Sequence, residues 1–110
     1  MKSFTKDPGE FMPAIAIDQL ADARLTAVTV EGKRLIMARV EGQTYAFDRT
    51  CPHAAADLMK GSLSRRHICC HEHDYCFDLS SGRIVWPDDE HYQLRFYEVR
   101  EEEGMVLVKI

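Results

Sequence analysis

Cysteine and histidine are concentrated in one short stretch of this chain. Of its 4 cysteines and 5 histidines, eight lie between Cys51 and Cys76, and only His91 lies outside that stretch. Thiolate and imidazole are common ligands of zinc and iron, so the clustering predicts a metal site. Residues 49–82 are rich in Cys, His, Ala, Gly and charge, with little apolar alternation. A segment of this kind needs something other than an apolar core to hold it together, and a metal centre would do so.

The segments before and after this stretch have the pattern of β-strands. Apolar, β-branched runs are separated by the pairs Glu31-Gly32 and Glu41-Gly42, where glycine supplies the positive φ of a tight hairpin. The strands predicted in this way are residues 11–17, 25–30, 34–40, 44–48, 84–86, 93–99 and 105–110. The sequence therefore predicts one all-β domain over residues 1–110, interrupted by a ligand-rich insert at about 49–82. Residues 1–10 are polar, and we expect them to form a flexible tail.

The charge balance argues against two classes of partner. Lys plus Arg number 14 and Asp plus Glu number 18, a net charge of −4, whereas binding to nucleic acid or an anionic membrane needs a basic patch. No apolar run approaches the roughly 20 residues that span a bilayer, and the N-terminus lacks the apolar core of a signal peptide. We therefore expect a cytoplasmic protein, whose cysteines are thiols or metal ligands rather than disulfides.

Two mixed ligand pairs stand out within the insert. They are Cys51-Pro52-His53 and Cys70-His71-Glu72-His73, with sixteen residues between His53 and Cys70. Zinc accepts two thiolates and two imidazoles, but structural zinc sites usually pair like ligands along the chain. One cysteine and one histidine on each loop suit a binuclear centre, in which one iron takes both cysteines and the other takes both histidines.

These residues resemble the signature of the Rieske family. That signature is C-x-H, about sixteen residues and C-x-x-H, followed by an aromatic-Asp pair and a glycine. The matching positions here are Cys51, His53, Cys70, His73, Phe77, Asp78 and Gly82, with Leu58, Gly61 and Leu63 in the spacer and Pro87 in the proline loop. The resemblance implies an antiparallel β-sandwich base with an inserted cluster-binding subdomain. It also implies one [2Fe–2S] cluster, held by the cysteines and histidines of the two boxes.

The resemblance further implies an electron carrier rather than an enzyme. Soluble Rieske ferredoxins pass single electrons from a flavin-dependent reductase to a terminal oxygenase, and we expect such a protein to be monomeric. Two other interpretations remain open from the residues alone: a zinc-binding structural or interaction module, and an iron–sulfur redox sensor that uses the spare Cys69 and Cys76. The cluster domain of an oxygenase subunit is disfavoured, because no pair of histidines has the spacing of a mononuclear iron site.

The second box contains a competing register. Cys69-Cys70-His71 is itself a C-x-H sequence, so Cys69 and His71 compete with Cys70 and His73 for the cluster. We prefer Cys70 and His73, because Phe77 then follows the histidine by four residues, as in the family. On this interpretation the non-ligands are His67, Cys69, His71 and Cys76.

Several positions depart from the high-potential members of the family. Asp74 replaces the usual glycine, and Ala56 and Glu72 replace the cysteines of an inter-loop disulfide. Tyr75 and Phe77 occupy the positions of a serine and a tyrosine whose hydroxyls bond to the cluster region. Fewer donors to sulfur and more negative charge both disfavour reduction, so we expect a low midpoint potential.

Overall fold

The structure is a computed structural model that describes residues 11–53, 55–72, 75–87 and 89–110. The predicted flexible tail at residues 1–10 lies outside them. Within the described residues the chain forms ten β-strands and two short 3₁₀ helices, Ile17–Gln19 and Leu58–Lys60. The strands are β1 (Phe11–Ala16), β2 (Leu25–Val30), β3 (Lys33–Val40), β4 (Gln43–Asp48), β5 (Ser62–Ser64), β6 (His67–Cys69), β7 (Cys76–Asp78), β8 (Ile84–Trp86), β9 (Phe96–Glu102) and β10 (Met105–Lys109).

Six of these strands form the base sheet, in the order β1-β10-β9-β4-β3-β2, with antiparallel pairing throughout. The two edge strands, β1 and β2, also contact each other, so the sheet curls almost into a barrel. The predicted hairpins are confirmed. At Glu41-Gly42 the φ angles are 52° and 80°, and Val40 pairs with Gln43 across the turn. Two successive positive φ values are the signature of a type I′ turn.

The other four strands form a small antiparallel sheet in the order β5-β6-β7-β8. Sequence analysis predicted only β8 among them. Each strand has three residues, and the central row across the sheet is Leu63, Ile68, Phe77 and Ile84. Ile68 and Phe77 are fully buried, so this row anchors the small sheet on the base. Strands this short give only one inward residue each, too few for an alternating pattern to be recognised.

The apolar core consists of two clusters that share β3. Ile36 and Ala38 face the small sheet, in a cluster that also contains Cys51 and Cys70. Leu35 and its neighbours on the opposite face pack under β9 and β10. Since successive strand residues point to opposite faces, β3 is buried on both sides and supports the ligand-rich insert directly. Within the described residues, no helix has the length and apolar character needed to cross a bilayer.

Candidate metal centre

The first ligand-bearing loop follows β4 and carries Cys51 and His53. The Cys51 N–H donates to the Ala56 carbonyl at 2.8 Å, and the Ala55 N–H donates to the Cys51 carbonyl at 2.9 Å. These reciprocal bonds fold the loop tightly, with Ala55 at a φ of 53°. Cys51 is 1% exposed, so its side chain lies in the interior although it belongs to a loop.

An ion pair closes the base of this first loop. Arg49 donates from Nε to Oδ1 of Asp57 at 2.8 Å and from Nη2 to Oδ2 at 2.9 Å. The Met59 N–H also donates to Oδ1 of Asp57, at 3.0 Å. These donors hold the pKa of Asp57 well below its usual range, chiefly through the hydrogen bonds from Arg49. The carboxylate therefore stays charged and keeps the two ends of the loop together. Sequence analysis did not identify this pair.

The second loop joins β6 to β7 and begins with Cys70. The Cys70 N–H donates to the Tyr75 carbonyl at 2.6 Å, which closes the loop at its neck. Cys70 is 1% exposed, and burial raises the pKa of its thiol, with a further contribution from a hydrogen bond to Cys51. The structure therefore brings the two predicted cysteine ligands together, one from each loop, in a buried position.

His53 is packed between aromatic rings. Its imidazole stacks on Tyr75 with the ring centroids 3.6 Å apart and the planes at 11°, and Tyr92 meets it edge-on at 5.6 Å. The Nδ1 atom of His53 is buried. The Tyr75 hydroxyl donates to Glu90 Oε1 at 2.9 Å, which raises the pKa of Tyr75 to about 12. Tyr75 therefore stays protonated and is held in place. Because the His53 ring stacks on Tyr75, its orientation is fixed as well.

Two residues singled out in the sequence lie outside the described part of the chain. They are the expected ligand His73 and Asp74, which replaces the usual glycine. Among the residues that the structure describes, no three Cys, His, Asp or Glu side chains converge as they would around one metal ion. A binuclear centre divides its ligands between two ions, and His73 is one of the four expected.

The prediction that all four cysteines are thiols or metal ligands is wrong. Cys69 and Cys76 form a disulfide, whereas Cys51 and Cys70 are free. Cys69 is the last residue of β6 and lies directly opposite Cys76, the first residue of β7. Cross-strand partners at such a position are close enough for a sulfur–sulfur bond.

The two histidines predicted as non-ligands differ in exposure: His71 is exposed, and His67 is half-buried.

The side chains present fit a cluster with sulfur and nitrogen ligands. Two buried thiols from different loops share a hydrogen bond, and an imidazole with a buried Nδ1 belongs to the same loop as one of them. Thiolate sulfur and imidazole nitrogen are the donor set of a mixed-ligand [2Fe–2S] centre. Fold and site together define a small all-β protein built to hold an iron–sulfur cluster.

Comparison with known proteins identifies the family. The model of the Rieske [2Fe-2S] domain matches residues 10–98, and the chain therefore belongs to the Rieske [2Fe–2S] family. The ferredoxin component of the naphthalene 1,2-dioxygenase system of Pseudomonas aeruginosa is 38% identical over 76 residues, 69% of this chain and 73% of that protein. Sulredoxin of Sulfurisphaera tokodaii is 30% identical over 103 residues, 87% of this chain and 94% of that protein.

Solved structures give the same result for the fold. The ferredoxin of carbazole 1,9a-dioxygenase from Nocardioides aromaticivorans IC177 superimposes with a TM-score of 0.80 at 27% identity, over 89% of this chain and 95% of that one. A chain in the complex of reduced oxygenase and oxidized ferredoxin in carbazole 1,9a-dioxygenase also matches, with a TM-score of 0.80 at 28% identity. That match covers 90% of this chain and 92% of the other.

These findings confirm the predicted all-β Rieske fold and the predicted cofactor. The protein carries electrons on one Rieske-type [2Fe–2S] cluster and is not itself a catalytic enzyme. The relatives do not favour the zinc-module or redox-sensor alternatives.

Proposed function

We propose that this protein is the ferredoxin component of an oxygenase system. It would accept single electrons from a flavin-dependent reductase and deliver them to a terminal oxygenase, acting as a cytoplasmic monomer. The observation that carries the proposal is the pair of buried, hydrogen-bonded thiols, Cys51 and Cys70, on two loops of a Rieske fold. The naphthalene 1,2-dioxygenase relative named above is the ferredoxin component of that system, and one matched structure contains a ferredoxin together with an oxygenase.

We further propose the ligands and the domain organisation. Cys51 and Cys70 would hold one iron, and His53 and His73 the other, within a single domain whose insert spans about 49–82. When bound, the cluster supplies a site that takes up and releases one electron. The chain itself excludes water from the two thiols, and it fixes the His53 ring by stacking against Tyr75.

The half-buried His53 would be the ligand through which the electron passes to a partner. Its Nδ1 edge is buried, so the opposite edge of the ring leads toward the surface where a partner would dock. Glu72 is exposed on the second ligand loop, and Asp89 is exposed next to Glu90, which bonds to Tyr75. Small, short-lived redox interfaces depend more on long-range charge than on buried area, so we expect the docking surface of the partner to be basic.

Matched substitutions in the second box test the ligand assignment. We expect Cys70→Ser to abolish or convert the [2Fe–2S] absorption and electron paramagnetic resonance spectra, and Cys69→Ser to leave them recognisable. His53→Ala should likewise remove the Rieske signal, and His71→Ala should retain it. Normal spectra in Cys70→Ser together with a lost cluster in Cys69→Ser would show that the register of the box is wrong.

Metal analysis and kinetics test the assignment of function. The purified protein should contain about two iron atoms and two sulfides per chain, as a [2Fe–2S] cluster requires. Zinc without sulfide would instead support a structural module. In a stopped-flow instrument, a flavin-dependent reductase should reduce the cluster, and an oxygenase should then reoxidise it. A cluster that exchanges electrons with neither class of partner would contradict the proposal.

A further inference from the structure

The disulfide between Cys69 and Cys76 lies at the neck of the second ligand loop. Cys69 immediately precedes the expected ligand Cys70, and Cys76 immediately follows Tyr75. Through these neighbours the disulfide is connected to both sides of the centre. Cys70 contributes a buried thiol, and Tyr75 stacks on the ring of His53.

The disulfide lies on the outer face of the small sheet. Its strand neighbours Ile68 and Phe77 are 0% exposed and point into the core, so the two cysteines point the other way. Both cysteines are half-buried. Trp86 pairs with Cys76 on β8 and is 59% exposed. The disulfide is therefore open to solvent on one side, unlike the thiols of Cys51 and Cys70.

Two connections close the neck of this loop beside the β6–β7 pairing. One is the hydrogen bond from the Cys70 N–H to the Tyr75 carbonyl, and the other is the disulfide one residue further out on each side. The small sheet has three-residue strands, so little backbone pairing supports the neck beyond them. A covalent link across a short loop limits the conformations that the loop can reach when it opens.

We propose that Cys69–Cys76 is a reversible two-electron redox site, distinct from the one-electron cluster, that controls how firmly the second loop retains the cluster. In the oxidised form the disulfide locks the neck, and in the reduced form the neck opens more often and the cluster is lost faster. Disulfides in cytosolic proteins are usually transient or redox-sensing rather than permanent, which suits a link that is exposed on one side.

The reductant is a small or protein dithiol, and its reaction is thiol–disulfide exchange. A thiolate of the dithiol attacks one sulfur of the Cys69–Cys76 bond, which breaks as a mixed disulfide forms. The second thiol of the reductant then resolves the mixed disulfide. Two electrons and two protons reach Cys69 and Cys76, and the dithiol becomes a disulfide. The reverse exchange with an oxidised dithiol restores the lock.

The first measurement tests the redox site alone, on the cluster-loaded protein under anaerobic conditions. Free thiols are alkylated before and after treatment with dithiothreitol, and the digested protein is analysed by mass spectrometry. We expect a peptide pair linked through Cys69 and Cys76 before treatment and two alkylated cysteines after it. Alkylation of both cysteines before dithiothreitol is added, in protein purified in air and then made anaerobic, would overturn the proposal.

The second measurement follows cluster loss to an iron chelator by visible absorption. We expect dithiothreitol to accelerate the loss on the order of tenfold, in line with the removal of a short-loop crosslink. The double variant Cys69→Ser/Cys76→Ser should lose its cluster at the fast rate whether or not the dithiol is present. Equal rates with and without dithiol in the unmodified protein, or equal acceleration in the double variant, would refute the lock.

The measurement of cluster loss rests on the proposed function, because it needs a bound cluster. The two measurements together distinguish failure of this proposal from failure of the proposed function. If the protein holds no [2Fe–2S] cluster, the proposed function fails, and the alkylation measurement still decides whether the disulfide is reversible. If the double variant does not fold, the unmodified protein with and without dithiol decides alone. A cluster-loaded electron carrier whose disulfide resists dithiothreitol would retain the proposed function and lose this inference.

Discussion

Substitution of Gly82 by alanine should be among the most damaging changes outside the ligand set. Gly82 has a φ of +75°, and a Cβ added there would lie 2.5 Å from the Leu94 carbonyl oxygen and 3.3 Å from Phe96 Cδ1. Its own carbonyl accepts from the Leu94 N–H at 2.8 Å, so the two segments cannot separate without breaking that bond. Left-handed backbone costs alanine roughly 1–2 kcal/mol, and overpacking against fixed backbone costs roughly 1–3 kcal/mol more.

Gly42→Ala is the matched control for this prediction. Gly42 has a similar φ of +80°, but nothing lies within 4 Å of the position of an added Cβ. The backbone strain and the loss of unfolded-state entropy are therefore similar in the two variants, and only the close approach differs. The expected difference in the free energy of unfolding between the two variants is roughly 1–3 kcal/mol. In a domain of this size, each kcal/mol lowers the Tm by about 4–8 °C.

Thermal unfolding of the two cluster-loaded variants, followed by far-ultraviolet circular dichroism at one scan rate, measures this difference. We expect Gly82→Ala to unfold at least about 5 °C below Gly42→Ala. Equal unfolding temperatures would show that the segment after β8 moves away at no cost, and that the contact between Gly82 and Leu94 does not hold the proline loop in place.

Three further predictions concern the potential, acid stability and partner kinetics. Phe77→Tyr should raise the midpoint potential in voltammetry by on the order of 50 mV if the new hydroxyl reaches a ligand sulfur, since one net hydrogen bond is worth about 1 kcal/mol. An unchanged potential would show that the hydroxyl does not reach a ligand sulfur. The depressed pKa of Asp57 means that its pairing with Arg49 contributes stability above about pH 4, which is lost as the pH falls. The gap in Tm between the unmodified protein and Asp57→Asn should therefore narrow below pH 4, and a constant gap would contradict the linkage. Glu72→Lys should slow stopped-flow reduction at low salt and leave the cluster spectrum unchanged, whereas rates that ignore both salt and charge would count against an electrostatic docking surface.

The parts of the fold that the sequence predicted well depend on local signals. The predicted bounds of residues 25–30 coincide with β2, and the Glu-Gly pairs mark turns whose backbone is left-handed. The ligand boxes were equally visible, because a cysteine and a histidine must be close in sequence to share one loop. The choice of Cys70 over Cys69 rests on the family register, and the ligand set stays a prediction. The structure buries Cys51 and Cys70 and joins their thiols by a hydrogen bond.

The parts that sequence reasoning missed depend on which strand faces which. The disulfide forms because the pairing of β6 with β7 sets Cys69 opposite Cys76. That pairing could not be predicted from the composition or from the expected compartment. The stacking of His53 on Tyr75, and the edge contact from Tyr92, join segments far apart in the chain. The Arg49–Asp57 ion pair has no recognisable sequence pattern either, because any nearby carboxylate could have been the partner of Arg49.

The burial of β3 on both faces makes the two halves of the molecule thermodynamically inseparable. Ile36 packs toward the cluster-binding side and Leu35 toward the opposite cluster, and each is 0% exposed. Neither cluster can open without exposing one face of the same strand, so partial unfolding that spares one half has no stable product. We therefore expect the amide protons in the buried part of β3 to exchange with solvent through unfolding of the whole chain, so that their protection measures the global stability of the protein.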